Sequence, residues 1–557
     1  MLAKTFAGLE EVLRDELIGL GAENVELGNR AVSFEGTLET MYKANLCCRT
    51  ALKILKPIDK FIAEDTDDLY DKIREIEWSR YMTPDTTFMV EATVNGPRFT
   101  NSRFVTYRVK DGIADHFNDM CGRRPSIRLT ESDLRLDVHI DDNRVTISLN
   151  SSGEPLSKRG YRVEATEAPL NEVLAAGILL KTGWRGDCLL FDPMCGSGTF
   201  LTEAALIAAN INPGIYRESF AFEKWNDFDK ELFERLYEDD SDEKTPPYRI
   251  VGSDIDPEAV RIARANIKSA NLEDMITVEC RDFLSYDEAP GDDEPGIIVT
   301  NPPYGERLRP DDIDMLYRSI GSELKTVFKG YHVWILGYSD AAFAGIGLKP
   351  SVKYPINNGG LECTLREYVM FDGSYAGFRK EGGSVRNETF SRNAKPKVKR
   401  MSDAEWERDS RKVAKKHNER KPRRDDDFRM QRDDDDNDFR PRRESDFKPR
   451  REGDFKPRRE GEYKPRREGD FKPRRDGEYK PRREGDFKPR REGDFKPKRE
   501  GNSKPRREGE YKPRGREVNF KPSASPRISS DRETRFSNNT MRSRKTWKKQ
   551  DQDKDNE

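Results

Sequence analysis

Asp192-Pro193-Met194-Cys195-Gly196-Ser197-Gly198-Thr199 stands between an apolar run that ends at Asp192 and a helical pattern from Phe200 to Ala208. A glycine-rich turn from strand to helix lets backbone approach a ligand closely and aims amide N–H groups at it, which suits a nucleotide-like cofactor. The same turn also reads as a tight joint that packs helix on strand, so its surroundings decide. Outward from it, apolar strands at Cys188 to Asp192, Arg249 to Asp254, Thr277 to Glu279, Ile297 to Thr300 and Val333 to Leu336 alternate with helical patterns. This alternation predicts an α/β domain built on a doubly wound, Rossmann-like parallel sheet. Val352 to Ile356 and Leu361 to Phe371 flank Asn357-Asn358-Gly359-Gly360, residues that tolerate positive φ, so the sheet is expected to end in an antiparallel hairpin.

Three further motifs follow strands of this sheet. Gly252-Ser253-Asp254-Ile255-Asp256 ends the second strand, where an acid accepts hydrogen bonds from ribose hydroxyls; Asp254 is the candidate. Asp256, before Pro257, reads as a helix N-cap. Asp282-Phe283, after the third strand, offers a carboxylate to an adenine amino group and a ring to a base, or else an ordinary turn beside a core aromatic. Asn301-Pro302-Pro303-Tyr304, after the fourth strand, is the most specific. A nucleobase amine is a poor nucleophile because its lone pair is delocalised into the ring. An Asn oxygen and a proline carbonyl that accept both N–H bonds favour a pyramidal nitrogen with its lone pair aimed outward. The prolines stiffen those acceptors, and Tyr304 supplies a face for an extruded base.

The first fifty residues carry Leu9, Val12, Leu13, Leu17 and Leu20 at helical spacing, a stop at Gly21, and an alternating stretch from Val25 to Phe34 expected as one strand. Phe88 to Val94 reads as a strand, Phe104 to Phe117 as a helix, and two strands are expected either side of Asp141-Asp142-Asn143. Beyond Arg379 the chain turns low-complexity, and from Arg440 to Tyr511 it repeats every eight residues, as in Lys448-Pro449-Arg450-Arg451-Glu452-Gly453-Asp454-Phe455. Pro in every unit and Gly in nearly all oppose helix, and at most one aromatic per unit buries too little to offset chain entropy, so 379–557 is expected to be disordered. Residues 379–557 hold 59 Lys and Arg against 39 Asp and Glu, while 1–378 hold 43 against 65, an asymmetry hidden by the near-neutral total. Interleaved arginine and aromatic residues in the tail suit phosphate contact and base stacking, and a solvated spacer is the alternative.

Seven scattered cysteines show neither zinc-ligand spacing nor a disulfide framework, and no apolar run is long enough to span a bilayer. A cytoplasmic setting without metal or membrane is expected. The four histidines form no nucleophilic constellation with a serine or cysteine.

With these residues in hand, the chain resembles the THUMP-domain class I methyltransferases, in particular the N2-guanine methyltransferases of bacterial 23S rRNA. Phe6-Ala7-Gly8-Leu9-Glu10, Asn45-Leu46-Cys47-Cys48-Arg49-Thr50-Ala51 and Arg159-Gly160-Tyr161-Arg162 ahead of Ala168-Pro169-Leu170 also carry the resemblance. It covers about residues 1 to 378. It implies a ferredoxin-like part over 1–43, a THUMP RNA-binding domain over 44–151, and a seven-stranded class I methyltransferase domain over 152–378. It further implies S-adenosylmethionine as cofactor, held by Asp192, Pro193, Gly196, Ser197 and Gly198, by Asp254 and Ile255, by Asp282 and Phe283, and at the pocket edge by Leu170 and Glu172. Asn301 to Tyr304 would hold the target amine. Arg98, Arg103, Arg108, Arg159 and Arg162 are the candidate contacts to structured RNA, although such arginines also serve as a solvated helix face. A transfer RNA guanine or a DNA adenine remains an alternative substrate, as does a non-catalytic RNA-binding or chaperone role. Longer bifunctional members carry a second methyltransferase domain, so one modification is expected here.

Overall fold

The structure, a computed structural model, describes residues 1–291, 295–303, 310–371, 373, 375–380 and 403–419. Two seven-stranded sheets organise them. The first contains β1 (Leu2–Lys4), β2 (Glu23–Leu27), β3 (Ala31–Glu35), β4 (Lys53–Ile62), β5 (Phe88–Asn95), β6 (Leu134–Asp141) and β7 (Arg144–Asn150), in the spatial order β2-β3-β1-β4-β7-β6-β5. β4 pairs with β1 on one side and β7 on the other, so the two N-terminal parts expected from sequence share one sheet. Helices Glu10–Gly19, Leu38–Cys47, Thr66–Glu75 and Ser102–Cys121 join it in a single apolar core through Leu13, Met41, Ile73 and Phe117.

Two expectations fail here for local reasons. The stretch Val25 to Phe34 is a hairpin, because Gly28 and Arg30, the latter at φ 54°, turn the chain between β2 and β3. The tail beyond Arg379 is not without structure, because Asp403–Glu419 is a helix. Its acidic first half precedes a basic second half, which complements the helix dipole, and it precedes the Pro- and Gly-bearing repeats. The octapeptide repeats themselves lie outside the described residues.

The second sheet contains β8 (Leu190–Asp192), β9 (Ile250–Asp254), β10 (Ile276–Cys280), β11 (Ile297–Thr300), β12 (His332–Gly337), β13 (Val352–Asn358) and β14 (Leu361–Val369), ordered β10-β9-β8-β11-β12-β14-β13. β10, β9, β8, β11 and β12 are parallel, and β14 is antiparallel to both β12 and β13. The four central strands are short and almost wholly apolar because helices cover both faces. The strand order reverses between β8 and β11, and the crevice beyond their carboxyl ends is where open α/β sheets bind ligands.

Residues between helix Thr199–Ala208 and β9 leave this sheet. Phe220, Phe222 and Phe233 enter the N-terminal core, where Tyr42 stacks on Phe222 with centroids 4.5 Å apart and accepts the Asp229 N–H at 2.9 Å. The expected division at residue 151 thus misses a segment of the second domain that is packed into the first.

Candidate active site

Hydrophobic strands fix the site by ending together. β8, β9 and β11 are neighbours in register, with Asp192 opposite Gly252 and Phe191 opposite Ile298, so the turn after Asp192, the acid Asp254 and Asn301 emerge at one edge of the sheet. Gly196 and Gly198 hold φ of 52° and 78°, a region costly for any other residue. A Cβ at Gly196 would meet nothing within 4 Å, which leaves open space in front of the turn, whereas one at Gly198 would lie 3.1 Å from Ala263 Cβ. The first glycine therefore faces the crevice and the second seats the turn on helix Pro257–Ser269.

The turn is braced from several sides. Its Gly196 N–H donates to Asp254 Oδ2 at 2.9 Å, and the Asp256 N–H donates to Asp254 Oδ1 at 3.0 Å. Cys195 N–H donates to the Ser253 carbonyl at 2.9 Å. Asn266, buried on the following helix, donates to the Ser197 carbonyl at 3.0 Å and accepts the Val163 N–H at 2.9 Å. Arg162 donates to Ser197 Oγ and Thr199 Oγ1, both at 2.9 Å, to the Leu170 carbonyl at 3.0 Å, and pairs with Glu172 at 2.6 Å. Leu170 and Glu172 are thus drawn to the same turn.

Asp192 is 1% exposed, and burial pushes its carboxyl up to about 7, partly offset by Thr300 and the Met194 N–H. Asp256 caps its helix through the Glu258 N–H at 2.9 Å, as its place before Pro257 foretold. Ile255, beside Asp254, is 68% exposed, a large apolar surface at the crevice. Asp282 accepts the Leu284 N–H at 3.0 Å. The ring expected to meet a base at Phe283 is instead buried and stacked on Phe328, centroids 5.5 Å apart, because it follows a strand whose face needs filling.

At the end of β11, Asn301 Oδ1 is buried and has no hydrogen-bond partner among the described residues. An acceptor left in that state costs about 1–3 kcal/mol, which a donor from a bound group would recover. Pro302 is buried and Pro303 exposed; Tyr304 lies outside the described residues.

The RMKL-like methyltransferase domain matches residues 159–367, the THUMP domain 63–150 and the RlmL ferredoxin-like domain 1–55. The slr0064 protein of Synechocystis, named a candidate RNA methyltransferase, is 35% identical over 65% of this chain and 95% of its own length. The chain belongs to the RMKL-like, THUMP-bearing methyltransferase family. The ribosomal RNA large subunit methyltransferase K/L of Methylococcus capsulatus is 41% identical over 66% of this chain and 50% of its own length. This chain spans about half the length of the K/L methyltransferases it matches. SMU.472, a candidate methyltransferase solved with SAH, superposes with a TM-score of 0.60 at 29% identity, over 67% of this chain and 98% of that one.

Within this methyltransferase family fold, the five arginines expected to meet RNA part company. Arg159 is 2% exposed, paired with the fully buried Glu203 at 3.3 Å and donating to the Arg49 carbonyl at 2.6 Å. Arg162 is the clamp on the glycine turn. Both charges meet internal partners, Glu203 and Glu172. Arg98 pairs with Glu64, and Arg108 pairs with Asp67 at 2.6 Å and lies 4.4 Å over the Tyr70 ring. Arg103 is exposed and makes no ion pair among the described residues. The supporting roles of Arg162 and Asn266 escaped sequence reading; their only signal was the Arg159-Gly160-Tyr161-Arg162 segment itself. Among the described residues, no cluster of His, Cys, Asp or Glu could hold a metal ion, and no helix is long and apolar enough to cross a membrane.

Proposed function

We propose that this chain transfers a methyl group from S-adenosylmethionine to the exocyclic N2 amine of a guanine in large-subunit ribosomal RNA. The residues present fit the cofactor. The turn opens at Gly196, Asp254 offers a carboxylate whose partners among the described residues are two backbone N–H groups, and Ile255 is an exposed apolar wall suited to an adenine face. The buried Asp192 carboxyl would be held ionised by a cationic amino group beside it. When bound, the cofactor's sulfonium supplies the methyl group.

The unpartnered Asn301 oxygen carries the reading. It can accept one N–H of an incoming amine, and the Pro302 carbonyl can accept the other. Both bonds draw the nitrogen lone pair out of conjugation and orient it. A ring nitrogen such as N7 carries no hydrogen to give such an acceptor, so the site favours an exocyclic amine. The pair of prolines keeps these acceptors fixed through the reaction, so no reorganisation is needed.

The test is methyl transfer to ribosomal RNA, transfer RNA and DNA, with nucleotide mapping of the product. N2-methylguanine in large-subunit ribosomal RNA is expected, and it should fall by about 10²–10³-fold in Asn301→Ala while cofactor binding persists. Methylation confined to transfer RNA or DNA, or a variant with near-normal rate, would overturn the proposal.

A further inference from the structure

The core side of the first sheet is lined by Val145 and Phe61, so their neighbours Lys60, Ile62, Arg144 and Thr146 project from the opposite face, where Lys60 lies opposite Thr146 and Ile62 opposite Arg144. The helices of the domain fill the core side and leave this other face to be covered. What covers it comes from the start of the tail. On helix Asp403–Glu419, the Trp406 ring lies 5.3 Å from the Lys60 ammonium and 5.7 Å from the Arg144 guanidinium, and Asp409 forms an ion pair with Lys60.

Two of the side chains that the tail helix places on this face are a carboxylate and a flat aromatic ring. An anion on a lysine and a ring under two cations are what a nucleotide brings, as phosphate and base. The fit of the helix is incomplete, since Trp406 Nε1 is buried without a hydrogen-bond partner among the described residues. The rest of the helix is strongly charged, with Glu407, Arg408, Arg411 and Lys412 pointing to solvent, so little apolar surface holds it down.

We infer that the Lys60–Arg144 face of the first sheet is a docking site for a single-stranded segment of RNA, and that Trp406 and Asp409 of the tail helix occupy it until RNA displaces them. This rests on the RNA reading above and adds the regulation of its docking surface. An internal competitor lowers apparent affinity by the fraction of molecules in which the face is free. Lys60 and Arg144 then contribute to RNA binding only after the helix has left.

The experiment measures binding of a fluorescein-labelled, mixed-sequence single-stranded RNA to the full chain by anisotropy, with limited trypsin digestion in parallel. Trp406→Ala and Asp409→Asn should each tighten binding by about threefold or more. Lys60→Ala with Arg144→Ala should weaken it, and RNA should speed cleavage at Arg408, Arg411 and Lys412 in the unmodified chain. Unchanged or weaker binding by both helix variants, while the unmodified chain binds RNA, would overturn the inference alone. Absence of RNA binding by every variant would sink the RNA reading and this inference with it.

Discussion

The Asp254 carboxylate accepts the Gly196 backbone N–H at 2.9 Å, so the acid that ends β9 and the turn that follows β8 form one unit. A ligand hydroxyl pair that bonds Asp254 must therefore be read together with the turn geometry. Asp254→Ala should lower cofactor affinity by about 10–100-fold, since it removes a charged acceptor and loosens the turn at once, together worth about 1.4–2.8 kcal/mol. Calorimetry with S-adenosylmethionine checks this, and unchanged affinity would remove Asp254 from the site.

Asp192 gives a pH signature. Its folded-state carboxyl sits near 7, above the ordinary value of 3.8, so between those values the folded state holds a proton that the unfolded chain has released. Its contribution to stability is therefore lost as pH rises through that window. Asp192→Asn should stabilise the ligand-free protein at and above neutral pH by about 2–4 kcal/mol and leave it unchanged near pH 4. The same variant should weaken cofactor binding, and the native protein should bind the cationic cofactor less well as pH falls below 7. Thermal melts and titrations over a pH series read both.

Arg162 separates a clamp from an RNA contact. Arg162→Ala frees Ser197, Thr199 and the Glu172 carboxylate together. It should destabilise the protein by about 1–3 kcal/mol and weaken cofactor binding, with RNA affinity in the absence of cofactor unchanged. A selective loss of RNA affinity would restore it to the docking surface.

Gly198 tests the turn itself. Gly198→Ala places a methyl group 3.1 Å from Ala263 Cβ at φ 78°. A cost of about 1–3 kcal/mol and a drop in cofactor affinity should follow, seen in melts and calorimetry. Gly196→Ala meets no neighbour, so it should cost less stability yet still impair binding.

The second sheet was legible because its strands are short apolar runs closed by diagnostic turns. Ile297–Thr300 was read at its observed bounds, and the hairpin turns at Gly359, which holds a φ of 63°. β4 was not read, since Pro57 and lysines at 53, 56 and 60, spaced as on a helix face, obscure a strand that bulges between Pro57 and Asp59. Arg159 and Arg162 look in sequence like Arg103; only tertiary packing shows which charges are buried against Glu203 and Glu172. The ring of Phe283 was misplaced for a similar reason, since an aromatic after a strand serves core or ligand without changing the pattern. The helix Asp403–Glu419 was hidden by the low-complexity sequence on either side.

The stacking of Tyr42 on Phe222 acts as a rivet between the domain of the first sheet and that of the second. Aromatic rings interlocked in a shared core do not swing on a hinge, so the span from the first sheet to Asn301 is a ruler of fixed length. Under the proposed function, a base is then chosen by its distance from the docked segment as much as by its own edges, and an RNA lengthened or shortened by one nucleotide between the two would present the wrong base or none.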